Sequence, residues 1–97
     1  MAANTTYVAN DPGSLITFTL PTTAAFGTII QVVGNSVHGW TIAQNSAQSV
    51  NFGNQTTTVG LGGSCTSTNQ YDQIVLFCVL ANTTWNVTGA VGNIIIV

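Results

Sequence analysis

Ile74-Val75-Leu76-Phe77-Cys78-Val79-Leu80 is the stretch whose reading decides the fold. Apolar side chains fill both the odd and the even positions, and a strand built that way is buried on both faces. Ile94-Ile95-Ile96-Val97 repeats the pattern at the end of the chain. The outer face of a two-layer sandwich normally meets water, so each stretch needs a cover on its second face. A subunit interface supplies one. Val75, Phe77, Val79, Ile94, Ile95 and Ile96 are therefore expected at an oligomer interface. Barrel-like closure, or a loop lying over the sheet, is the alternative.

Outward from that stretch the rest of the chain also reads as strands. Lys, Arg and Glu are absent, and Leu and Ala never recur at i, i+3, i+4, i+7. Thr, Val, Ile, Asn and Gly dominate, in short runs punctuated by turn residues. Strands are expected at 5–9, 14–20, 28–33, 40–44, 49–52, 71–80, 84–88 and 93–97, with an edge strand at 56–59. Asn10-Asp11-Pro12-Gly13 and Gly53-Asn54 are turn signals. Ile16, Phe18 and Leu20 share one face, as do Trp40 and Ile42, Val50 and Phe52, and Trp85 and Val87. The segment 60–69 reads as a polar, glycine-rich loop. Val33-Gly34-Asn35 before Trp40-Thr41-Ile42 echoes Leu80-Ala81-Asn82 before Trp85-Asn86-Val87, through a duplicated hairpin or through chance. The fold class is all-β: an antiparallel β-sandwich or jelly-roll-like domain of about eight strands.

Charge excludes more functions than any motif supports. The 97 residues hold no Lys or Arg, two acids (Asp11 and Asp72) and one His. Nucleic-acid binding needs cations to displace phosphate counterions, so no nucleic-acid partner is expected. A polybasic membrane signal is missing, and no segment reaches the ~20 apolar residues that would insert in a bilayer. Carboxylate and phosphate ligands lack their bidentate arginine. The length fits one domain, 1–97. Met1 to Thr6 has neither a positive n-region nor an apolar run and does not read as a secretory signal. The expectation is a module excised from or appended to a larger protein.

Catalytic chemistry finds no set of residues. His38 lies beside Gly39 in a turn, with no Cys or acid at metal-ligand spacing, and reads as a surface residue. A ring of His38 side chains around a symmetry axis is the less ordinary reading. Asp11 before Pro12-Gly13 is a turn former; Asp72, at the start of a strand, is expected to bond nearby donors. Gly62-Gly63-Ser64 is neither a nucleophile elbow nor a phosphate loop. No enzyme, cofactor or metal is expected. Trp40, Trp85 and Tyr71, with Asp72 and Asn69, are candidates for stacking on and hydrogen bonding to a neutral sugar. The competing reading puts both tryptophans in the core. Cys65 and Cys78 either form a bridge or remain two free, partly buried thiols. Sequons at Asn4, Asn54, Asn82 and Asn86 follow from a composition rich in Asn and Thr.

Several runs taken together carry a resemblance. They are Ser14-Leu15-Ile16-Thr17-Phe18-Thr19-Leu20-Pro21, Gly39-Trp40-Thr41-Ile42-Ala43-Gln44-Asn45 with Val50-Asn51-Phe52-Gly53, and Ser67-Thr68-Asn69-Gln70-Tyr71-Asp72 followed by an apolar strand and Asn82-Thr83-Thr84-Trp85. Over nearly the whole chain they resemble a small C-terminal β domain of phage tail-fibre-like and bacterial surface proteins. The resemblance implies a distal fibre tip, a homotrimer and no catalytic residues. Members of that family often have an aliphatic residue at the place of Cys65, which speaks against a bridge. The expectation is a non-enzymatic oligomerising structural module, extracellular or on a virion surface, whose loops contact a receptor. The alternative is a carbohydrate-binding lectin module.

Overall fold

A computed structural model describes residues 1–97. Ten strands and no helix make up the chain: β1 (Thr5–Ala9), β2 (Ile16–Thr19), β3 (Ile29–Gly34), β4 (Trp40–Ala43), β5 (Ser49–Phe52), β6 (Gln55–Thr56), β7 (Ser64–Thr66), β8 (Gln73–Leu80), β9 (Thr84–Val91) and β10 (Ile95–Ile96). They form an all-β sandwich. One sheet has the order β1-β3-β8-β9-β5-β6, the other β10-β7-β4-β2. The apolar stretch that decides the fold is β8, at the centre of the larger sheet between β3 and β9.

Inward residues alternate as the period of two requires. The larger sheet sends Ile30, Val32, Ile74, Leu76, Cys78, Val50 and Trp85 into the core. The smaller sheet answers with Trp40, Ile42 and Cys65, and Leu20 follows β2 into the same cluster. Tyr7 and Phe18 meet between the sheets with ring centroids 5.2 Å apart. The Trp40 indole donates to the Asp72 carbonyl at 2.9 Å, whereas the buried Trp85 Nε1 has no acceptor.

Pairing is mixed, not wholly antiparallel. β1–β3, β2–β4 and β5–β9 run parallel. The cause lies in the connections: β1, β2, β3 and β4 alternate between the two sheets, so each link crosses the core edge and does not turn back within a sheet. A strand that returns to its sheet after two crossings points the same way as before. Hairpins join only β5 to β6, through Gly53-Asn54, and β8 to β9, through Ala81-Asn82-Thr83. Both loops carry a residue in the left-handed region, Gly53 at φ 60° and Asn82 at φ 68°. The echo between the two Trp-led segments is therefore not a duplicated hairpin. β3 to β4 changes sheets; β8 to β9 does not.

One further expectation changes. The segment 60–69 contains β7, which places Cys65 in the core. Cys65 and Cys78 are both free and buried. They enter the core from opposite sheets, and no bridge joins them.

Candidate functional site

The outer face of the larger sheet is the first candidate. On β8 the inward residues Ile74, Leu76 and Cys78 alternate with half-buried Val75, Phe77 and Val79. Register extends that outward face to Gln31 and Ile29 on β3, which pair with Val75 and Phe77. Parallel pairing adds Val8 beside Val33, and antiparallel pairing sets Val91 beside Gln73. Val8, Ile29 and Val91 are exposed. Phe26, in the β2–β3 loop, is 71 % exposed and stands edge-on to Phe77, with centroids 5.8 Å apart. A lone aromatic in a loop has no strand alternation around it, so the pattern that exposes β8 does not flag it.

This face divides in two. Toward β5 and β6 it is polar: Asn51 donates to Asn86 Oδ1 at 2.8 Å, and Thr56 donates to Asn51 Oδ1 at 2.9 Å. Toward β1, β3 and β8 it is mainly aliphatic and aromatic around one polar pair, in which the Thr6 hydroxyl donates to Gln31 Oε1 at 3.3 Å. Between Val75 and Val91 the sheet opens into a shallow groove of about 260 Å³, because Gly89 sits opposite Val75 without a side chain.

The C-terminal isoleucines do not join it. β10 pairs with β7 at the edge of the smaller sheet. Ile94 and Ile96 are half-buried and pack against the core; only Ile95 is exposed. Within one chain the outer face of β8 and the C-terminal isoleucines are thus two separate surfaces. The physical reason is that the core needs an apolar strand to close the open edge beside Cys65, which Ile96 faces in register.

The second candidate is a loop end of the sandwich. Thr68, Asn69, Gln70 and Tyr71 connect β7 to β8. Asp72 organises this loop from beneath: its Oδ2 accepts from the Thr68 and Asn69 amides at 2.9 and 3.0 Å and from the Thr68 hydroxyl at 3.2 Å. Gly92, at φ 97°, lies so close that a Cβ there would strike the Asp72 carboxylate. Gln70 donates to the Asn35 carbonyl at 3.0 Å, and Asn35 donates to Asn10 Oδ1 at 2.9 Å, so three loops are joined. Asp11 closes its own turn, accepting from Gly13 N at 2.8 Å and the Ser14 hydroxyl at 3.1 Å. Those bonds, the Gly13 amide first, hold its carboxyl below the usual value, with His38 adding a smaller push. His38 itself is exposed.

The sugar-stacking candidates separate accordingly. Trp40 and Trp85 are fully buried core anchors and offer no ring to a ligand. Asp72 is buried and committed to its loop. Tyr71, 64 % exposed, and the exposed Asn69 remain. No group of three His, Cys, Asp or Glu side chains comes together that would hold a metal ion.

Comparison with protein-family models, curated proteins and solved structures gives no match.

Proposed function

We propose that this chain is a non-enzymatic β module that assembles with copies of itself, as the homotrimeric tip or cap of a larger extracellular or virion-surface fibre. The observation that carries the reading is the row Val75, Phe77 and Val79 on the outer face of β8, extended by Phe26 and free of any ionisable group. A sheet face of this kind is stabilised by leaving water. With no Lys or Arg in the chain, and with Asp72 buried and Asp11 in its loop, assembly there desolvates no charged side chain. The trimer and the fibre setting rest on the resemblance to tail-fibre-like domains. Light scattering after size exclusion tests the reading. A mass three times the 10.0 kDa chain supports it, and a monomer removes it.

A second reading, contact with a neutral glycan or surface receptor, is favoured by one observation. Tyr71 is exposed, next in the chain to Asn69 and Gln70, on a loop braced by Asp72. An exposed aromatic beside amide donors and acceptors suits an uncharged sugar. Because both tryptophans are buried, their fluorescence will not report binding. Saturation-transfer NMR against a panel of neutral oligosaccharides will. Signal lost in Tyr71→Ala supports the reading; no signal from any sugar ends it.

A further inference from the structure

We infer that the self-contact is a knob-and-groove joint, in which Phe26 of one copy enters the groove beside Gly89 of another. The inference rests on the self-assembly reading above and names the surface that would carry it. Four observations converge. First, the groove exists because a strand position lacks a side chain, not because the fold needs glycine there. Gly89 has no positive φ, and a Cβ built on it meets nothing nearer than Val75 Cγ2 at 4.0 Å. The fold would tolerate a larger residue and so fill the hole, yet the hole is open.

Second, its walls are apolar on both sides: the Val75 side chain on β8 and the Val91 side chain on β9, with backbone of Ile74, Gly89 and Ala90 between them and Gln73 at the rim. Third, the knob lies on the same face. Phe26 is held edge-on by Phe77, two residues along β8 from Val75, with most of its ring in solvent. A hydrophobic projection and an apolar recess on one face of one molecule are complementary between copies, whether the contact is isologous or closes a ring. Fourth, the scale and charge suit a second copy of this chain. The larger sheet, its polar β5–β6 margin included, offers on the order of 500 Å² of planar footprint, more with side-chain relief, against ~800 Å² of accessible surface per partner in a standard interface, whose rim is likewise polar. An uncharged face has no signature for a charged partner, and two copies of it meet without repulsion.

Three variants measured beside the wild type test the joint. Gly89→Leu fills the groove while keeping the strand; Phe26→Ser removes the knob from an exposed loop; Leu61→Ser alters an equally exposed apolar residue on the β6–β7 connection, which is not part of the joint. Circular dichroism and thermal melting establish that each is folded. The expected result is an oligomeric wild type and Leu61→Ser, with Gly89→Leu and Phe26→Ser falling to the 10.0 kDa monomer. A folded Gly89→Leu or Phe26→Ser that keeps the wild-type mass overturns the joint and leaves self-assembly standing. If Gly89→Leu does not fold, Phe26→Ser alone decides. A monomeric wild type removes both.

Discussion

The two tryptophans show how much one hydrogen bond separates residues of equal burial. Trp40 donates its indole N–H to the Asp72 carbonyl; Trp85 buries the same group without an acceptor. Phenylalanine removes similar area at both sites, but only at the first does it also delete a hydrogen bond, leaving the Asp72 carbonyl with the Gly34 amide alone. Trp40→Phe should therefore lower stability by about 1–2 kcal/mol more than Trp85→Phe in urea titrations. Equal losses would show that the Trp40 bond contributes nothing net. Cys65 supplies a pH dependence. Burial pushes its thiol up from the ordinary 9.0 to about 12. Below pH 9 the thiol is neutral in both states and its contribution is whole. Between 9.0 and about 12 only the unfolded chain ionises, so stability falls as pH rises. Melting curves across that range should decline more steeply for wild type than for Cys65→Val. Parallel curves would mean that Cys65 is ionised as readily folded as unfolded.

At the scale of elements, buried amides do what charged groups do in more ordinary chains. Gln44 and Gln48 are both buried, at the end of β4 and just before β5. The two Nε2 hydrogens of Gln44 are shared among the carbonyls of Gln48, Thr58 and Gly60, at 2.8–2.9 Å, and its Oε1 accepts from the Thr57 hydroxyl. Gln48 donates to the carbonyls of Pro21 and Asn82 at 2.8 and 3.1 Å. Links between four connections are thus made without a salt bridge. Gln44→Leu keeps the volume but leaves the buried Thr57 hydroxyl without its acceptor and removes the bonds to three carbonyls, of which those of Gln48 and Gly60 keep backbone donors. It should cost about 3 kcal/mol, while Asn54→Ala in the exposed β5–β6 turn stays within about 0.5 kcal/mol. A Gln44→Leu variant as stable as wild type would show that water replaces the amide. None of this network is visible as a motif, because its members are brought together by the crossings between sheets. β7 is hidden for a related reason: three residues beside glycines carry too short an alternation to read, and pairing with β4 and β10 makes them a strand.

For the whole molecule the issue is what covers the outer face of β8. If copies of the chain cover it, a carboxylate placed there must be buried or must break the contact. Val75→Asp should convert an oligomer to a folded monomer, with mass and circular dichroism read on the same sample. An unchanged mass would move the interface elsewhere, Ile95 and the Tyr71 loop being the remaining surfaces. Most strand positions, β6 and β7 excepted, the inward residues of β2, β4 and β5, and the two-sided apolar character of β8 were legible from alternation alone. The place of β10 was not. Ile94 to Val97 has the same composition as part of β8, yet its inward side chains close an open core edge.

Composition and period determined that this is an all-β chain without cationic chemistry, and that β8 is apolar on both faces. These are properties of local order: alternation is read between neighbours, and a missing residue type is missing in any fold. Only the tertiary structure decided that neighbouring strands run parallel, that Cys65 and Cys78 face the core from opposite sheets, and that the tryptophans are closed to ligands. It also decided that Phe26 and Gly89 share a surface. Each of these depends on which sheet a strand joins after crossing the core, and that is set by long-range packing against residues far away in the chain.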